Sequence, residues 1–234
     1  MQLFRILQSQ GFGVRRLCRE LIESGRVKTN GVAMTDPESE CDPVALTLSV
    51  DGQDWLYREK VYLALNKPEG YECSRQASHH PSVFSLLPAP LAERGVQPVG
   101  RLDQDSTGLL LLSDDGDFIH RYTSPKKEIG KRYRVVCKHP VSEEQIAALR
   151  TGVLLRDERA PIAARACQRV GEKVVDLDIG EGKYHQVKRM LAAAGNRVES
   201  LERTRIGGFD LPSDLEPGQW RYLEAADLTA LAQT

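Results

Sequence analysis

Residues 99–116, VGRLDQDSTGLLLLSDDG, set four aspartates (Asp103, Asp105, Asp114 and Asp115) around a run of four leucines. Carboxylates at this density suit several chemistries. Asp103-x-Asp105-x-Thr107-Gly108 copies the first half of a calcium loop. The twelfth position should then be a bidentate Glu but is Asp114, and an apolar run follows where a helix is needed. The same letters satisfy a D-x-D-x-T phosphatase fingerprint, whose nucleophile should end an apolar parallel strand. The residues before Asp103 are instead Gln97, Pro98, Val99, Gly100 and Arg101. Asp114-Asp115-Gly116 is turn chemistry, able to close a strand and cap a following helix. A fourth reading takes Asp103 as a lone catalytic carboxylate ahead of the leucine run, and these residues alone do not choose it.

The elements around this segment read as two bodies. Apolar residues at helical spacing, Leu3, Ile6 and Leu7 and then Leu17, Leu21 and Ile22, predict two short helices, the second ended by Gly25. Val27 and Thr29 alternate with charged residues, and Asn30-Gly31 is a hairpin-turn dipeptide. The first ~55 residues thus form two helices and a small sheet, with a thin core. The stretch DGQDWLYREK reads as a linker and, as an expectation, a hinge over residues 52–60. Beyond it, VYLALNK, GLLLLS, KRYRVVC, KVVDLDI, RVESLERTRI and QWRYLE read as strands. Helices are expected in DFIHRYT, after the Ser142/Gln145 capping-box pair, in HQVKRMLAAAG and in AADLTALAQ. Strands outnumber helices without a βαβ rhythm, so the expected class is α+β with a mixed, largely antiparallel sheet.

Composition narrows the partners. With 234 residues, 41% hydrophobic and 28% charged, the chain reads as a soluble globular protein. No apolar stretch approaches the roughly 20 residues of a membrane span, and the N-terminus lacks a signal core, so a cytoplasmic protein is expected. The five cysteines are widely spaced with no CxxC pair, and His79-His80 before Pro81 reads as a surface turn, so neither a metal site nor a redox motif is expected. Net charge is only −1. The cations are nevertheless clustered: Arg5, Arg15, Arg16, Arg19, Arg26 and Lys28 precede an acidic stretch, and two further clusters lie at residues 126–134 and 183–205. Separate basic patches on a neutral chain can make several phosphate contacts. No large apolar stripe is left over, so a monomer is expected.

The residues then meet a family. Gly100-Arg101-Leu102-Asp103 followed by Ser106-Thr107-Gly108-Leu109-Leu110 resembles the central motif of pseudouridine synthases of the RsuA/RluA superfamily. Three further segments resemble its other motifs in order: Asn66 to Tyr71, Lys131-Arg132-Tyr133, and Glu181 to Met190. The first ~55 residues resemble an S4 RNA-binding domain, although Phe4-Arg5 stand where that domain usually has Asp-Lys, and Val14 replaces the usual Ser before Arg15. The expected division is residues 1–57 for the S4-like domain and 61–234 for the synthase domain. YHQVKRM and ERTRIGGF look most like the branch that modifies small-subunit ribosomal RNA.

This resemblance implies isomerisation of a specific uridine in 16S RNA, with uridine 516 as the expected target. Its substrate would be ribosomal RNA or a partly assembled small subunit. No atoms enter or leave in that reaction, so no cofactor is required. Asp103 would act at ribose C1′ or the base, or remove a sugar proton. Tyr133 would stack on the uracil; the alternative is a tyrosine that merely packs in the core. Lys188 holds the place of the family's basic partner, usually Arg, that pairs with the catalytic carboxylate. Arg189 is the alternative, since adjacent helix positions point ~100° apart. Arg101 would enter the RNA as the target nucleotide flips out. Arg15, Arg16, Arg19, Arg26, Lys28, Lys131 and Arg189 would contact RNA. Two rivals stand beside this reading: a synthase acting on large-subunit RNA, and a non-catalytic S4-type assembly factor.

Overall fold

The computed structural model describes residues 1–233. The chain divides into two compact units: residues 1–61 with 87–97 and 113–115, and residues 62–86 with 98–112 and 116–234.

The first unit opens with helices α1 (Leu3–Ser9) and α2 (Arg15–Glu23), followed by strands β1 (Val27–Thr29), β2 (Val32–Met34), β3 (Thr47–Val50) and β4 (Gln53–Leu56). The four strands form an antiparallel sheet in the order β2-β1-β3-β4. Asn30 and Gly31 both take positive φ, 45° and 84°, as a two-residue hairpin loop demands. Leu3, Ile6, Leu7, Cys18, Ile22, Val27 and Leu48 are fully buried between the helices and the sheet. Val14 is the N-cap of α2, and its side chain makes no cap hydrogen bond. Here the sequence departure leaves a helix start without the usual acceptor.

The segment read as a linker is structured. Residues 53–56 form β4, the Tyr57 amide donates to the Leu46 carbonyl, and the Arg58 amide donates to Gln10 Oε1. Helix α3 (Ala89–Glu93) is followed by Arg94, whose side chain is 3% exposed. Arg94 donates to the carbonyls of Arg58 and Glu59, to Gln10 Oε1 and to Asp114 Oδ2. Asp114 also accepts from the Val61 amide at 2.8 Å. Asp114 therefore does more than turn the chain: it neutralises a buried guanidinium.

The second unit contains β5 (Tyr62–Lys67), β6 (Gln97–Pro98), β7 (Ser106–Ser113), α4 (Gly116–Thr123), β8 (Lys131–Cys137), α5 (Glu143–Thr151), β9 (Ala166–Gly171), β10 (Val174–Ile179), α6 (Gln186–Ala193), β11 (Val198–Ile206), β12 (Phe209–Asp210), β13 (Trp220–Tyr222) and α7 (Ala225–Leu231). Its sheet runs β13-β5-β7-β11-β8-β10-β9, with β12 on β11 and β6 on β7. The β7–β11 pair is parallel, while β8–β10, β8–β11, β9–β10 and β5–β13 are antiparallel. The fold is α+β with a mixed sheet. Leu109, Leu110, Leu111 and Leu112 are all fully buried, so β7 is covered on both faces, as a continuous apolar run requires. Gly108 pairs with Arg203 across the parallel ladder, where a Cβ would lie 2.4 Å from the Arg203 carbonyl oxygen. The predicted capping box of α5 is formed, Ser142 accepting from the Gln145 amide and Gln145 from the Ser142 amide.

Candidate active site

The turn that carries Asp103 is closed by the Ser106 amide donating to the Asp103 carbonyl, just ahead of β7. This geometry removes the two rejected chemistries. The strand draws residues 106–113 out over roughly 23 Å, so Asp114 cannot join Asp103 in a calcium loop. Asp103 also precedes its strand, whereas a phosphatase nucleophile follows one.

Lys67 anchors the loop from the end of β5. It is fully buried, and its Nζ donates to the carbonyls of Pro68, Gln104 and Ser106 at 3.0, 3.1 and 2.7 Å. Three carbonyls exhaust the three donors of an ammonium. Burial pulls the Lys67 pKa below its ordinary value, against the opposing effects of Cys73, Asp105 and Asp103. Sequence reading assigns Lys67 no role beyond its place in the segment from Asn66 to Tyr71. Its position at the end of an apolar strand hid a cation that has no solvent.

Helix α6 supplies the charge opposite Asp103. Lys188 Nζ lies 3.0 Å from Asp103 Oδ2 and 2.7 Å from Asp105 Oδ1. Burial works against the Asp105 carboxylate, but the Lys188 hydrogen bond and charge outweigh it and its pKa falls. Burial likewise opposes the Lys188 ammonium, and its two carboxylate partners more than compensate. Arg189 turns elsewhere, to the Tyr184 carbonyl at 3.2 Å and to Asp157 at 3.4 Å. His185, which the sequence reading passed over, places Nε2 3.3 Å from Asp103 Oδ2. It caps α6 in the left-handed region at φ 48°, a conformation His adopts more readily than most residues.

A cavity of about 330 Å³ opens beside Asp103. Leu102, Tyr122, Ile179, Val187 and Leu201 give it apolar walls, and Tyr133 of β8, 7% exposed, lies in its lining. Arg203, 2% exposed, donates from Nε to the Leu109 carbonyl at 2.7 Å and approaches the Tyr133 hydroxyl at 3.5 Å. Arg203 Nη2 and Ser106 Oγ, both buried and both on cavity-lining residues, have no hydrogen-bond partner in the protein. Lys131 also lines the cavity and donates to the Ile129 carbonyl. Burial, with the Arg203 and Arg165 charges behind it, lowers its pKa to about 8. Lys131 is therefore a cavity lysine and not a surface one. Arg101 is exposed at the rim.

The cations of the first unit differ in their commitments. Arg26 makes a bidentate pair with Asp51, and Arg19 is bonded to Glu38. Arg16 lies 3.6 Å from Glu20 and is almost fully exposed. Arg15 lies over the Phe4 ring at 4.8 Å, and Lys28 is exposed on β1. Among the described residues, no helix is long and apolar enough to cross a membrane.

Comparison with known proteins accounts for this arrangement. The family model for RNA pseudouridylate synthase matches residues 61–193, and that of the S4 domain matches residues 1–43. The chain is 37% identical to an RNA pseudouridine synthase of Bacillus subtilis, over 99% of this chain and 98% of the relative. It is 38% identical to the ribosomal small subunit pseudouridine synthase A of Haemophilus influenzae, over 92% and 87% of the two chains. A crystal structure of a pseudouridylate synthase, 35% identical, superposes over 99% of this chain and all of its own with a TM-score of 0.71. Asp103, Tyr133 and Lys188 thus lie within the matched region of a chain that belongs to the RNA pseudouridylate synthase family.

Proposed function

We propose that this chain isomerises one uridine of small-subunit ribosomal RNA, the counterpart of uridine 516 in 16S RNA, to pseudouridine. The observation that carries the reading is the Asp103 carboxylate on a cavity with both apolar and polar walls, lined by Tyr133, with Lys188 opposite the carboxylate. Relatives named for the small subunit, which match across most of the chain, support the choice of RNA. In the reaction the N1–C1′ bond breaks, the uracil turns, and a C5–C1′ bond forms. The C5 proton leaves and N1 gains one, so the atoms balance without a co-reactant.

Each group has a place in this scheme. Asp103 is the carboxylate that acts on the nucleoside, by attack at C1′ or the base or by taking a sugar proton. Tyr133 supports the detached uracil by stacking. The free Ser106 hydroxyl and Arg203 Nη2 suit a base whose edge offers carbonyls and an N–H. The apolar walls exclude water that would otherwise capture the ribose. Arg101 at the rim fills the gap left by the flipped nucleotide. Residues 61–234 form the catalytic domain, and residues 1–57 hold the RNA backbone through Arg15, Arg16 and Lys28, with Arg19 and Arg26 alongside. Arg189 keeps α6 in place, and Lys131 faces the bound nucleotide. The substrate is the RNA or a partly assembled subunit.

Pseudouridine mapping of ribosomal RNA from a strain lacking this gene tests the reading. One small-subunit position should lose its pseudouridine, restored by the wild-type gene and not by Asp103→Asn. Loss confined to large-subunit RNA would reverse the choice of target, and restoration by Asp103→Asn would remove Asp103 from the chemistry.

A further inference from the structure

A second groove, of about 460 Å³, runs along the other side of the Asp103 loop. It shares Arg101, Leu102, Asp103 and His185 with the first cavity, and adds Ser74 and Tyr184. Tyr184 is unusual for an aromatic residue: it is 71% exposed. One of its faces is stacked on the His185 imidazole, with ring centroids 3.8 Å apart and planes 19° from parallel. Neighbouring side chains in an extended or helical backbone do not lie face to face. Here the left-handed conformation of His185 (φ 48°, ψ 32°) turns the chain so that they do. Arg189 fixes the same turn by donating to the Tyr184 carbonyl. The structure therefore spends backbone strain and a guanidinium to hold a hydrophobic ring in water.

We infer that the outer face of Tyr184 is a stacking platform for the nucleobase immediately next to the target uridine. The inference rests on the RNA-modifying reading above. If C1′ of the target lies at Asp103, the flanking nucleotide is one phosphate away. The groove includes that same carboxylate, since His185 Nε2 is 3.3 Å from Asp103 Oδ2 and Tyr184 is stacked on the His185 ring. Arg101, exposed and shared by both cavities, lies where the target and the flanking nucleotide would part. Single-stranded bases splayed from a helix are commonly held on exposed aromatic faces, with little dependence on base identity. A flanking base stacked on Tyr184 would hold the target strand open beside the site. It would act on substrate capture, and Tyr184 is a binding residue here and not a catalytic one.

The test uses the full chain and a small-subunit RNA fragment containing the mapped target uridine. Two further fragments carry an abasic ribose immediately 5′ or 3′ of it. Tyr184→Ala should lower kcat/KM on the intact fragment about tenfold, mainly through KM. Tyr184→Phe, which keeps the ring, should recover most of that loss. On one of the two abasic fragments the wild-type chain should itself fall about tenfold, and Tyr184→Ala should cost nothing more. Losses that multiply on both abasic fragments, or a Tyr184→Phe defect as deep as that of Tyr184→Ala, would overturn the platform while leaving the enzyme's activity in place. A wild-type chain that forms no pseudouridine in the intact fragment or in full-length ribosomal RNA would overturn the functional reading and the platform with it.

Discussion

Lys188 Nζ sits between two carboxylates, 3.0 Å from Asp103 Oδ2 and 2.7 Å from Asp105 Oδ1. One ammonium thus serves a pair of acids that the sequence places two residues apart. Lys188→Met would leave these acids with only the His185 imidazole beside them. Like charges at short range cannot both stay ionised at low pH, so one of the pair should hold its proton to higher pH. The expected result is a kcat/KM loss of roughly 100-fold at neutral pH, with the acid limb of the pH profile moved upward. Lys188→Arg should recover most of the activity. A profile of unchanged shape in the Met variant would show that Lys188 does not tune the pair.

Lys67 makes a different prediction, because it lines neither cavity beside Asp103. Lys67→Met keeps the length of the side chain but leaves the Pro68, Gln104 and Ser106 carbonyls without their donor. Unsatisfied buried polar groups cost on the order of 1–3 kcal/mol each. The variant should unfold at lower denaturant and lose activity through kcat, as the Asp103 loop loosens. Full activity in a destabilised variant would separate Lys67 from the geometry of the loop.

Lys131 should produce two opposite pH effects. Its pKa in the fold is about 8, and its ordinary value is 10.5. Between these values the unfolded chain holds a proton that the folded chain has lost. Stability therefore rises with pH over that window. RNA binding should move the other way, since the cavity loses a positive charge as pH climbs through about 8. Denaturant melts and RNA titrations between pH 7 and 10 measure both trends. Lys131→Met should flatten them together.

Asp114 is the counter-ion of a guanidinium that is 3% exposed. Asp114→Ala leaves Arg94 charged and buried, which costs about 3–5 kcal/mol. It also removes the acceptor of the Val61 amide. Replacing Arg94 and Asp114 together should be milder than the sum of the two single changes. Additive losses in urea melts would mean that the pair is not coupled.

Val14 offers a gain. It is 69% exposed and caps α2 with no side-chain acceptor. Val14→Ser should satisfy an amide of the first helical turn and stabilise the first unit by about 1 kcal/mol. Thermal melting reads this as a rise in Tm. A fall would mean that Val14 packs in a way its exposure does not show.

The elements were legible where a local rule governed them. Asn30-Gly31 marked a hairpin, Ser142 and Gln145 marked a helix start, and the unbroken leucines of β7 marked a strand covered on both faces. The fingerprint around Asp103 could be read because its residues are contiguous. The linker reading of residues 51–60 failed over 53–59 because it weighed only composition. The hydrogen bonds that order this stretch come from Gln10 and Arg94, far away in the chain.

By itself the sequence determined the α+β class, its longer elements and the contiguous motifs that resemble the family, since propensity, periodicity and turn chemistry act over a few residues. Only the tertiary structure decided which groups share a charge. Lys188 rather than Arg189 reaches Asp103 because α6 presents one helical position to the loop and turns the next away. His185 joins the site through a left-handed backbone that no residue pattern announced. Lys67 became a buried cation and Lys131 a half-buried one because the strands around them closed, and desolvation is a property of the packed neighbourhood and not of the residue.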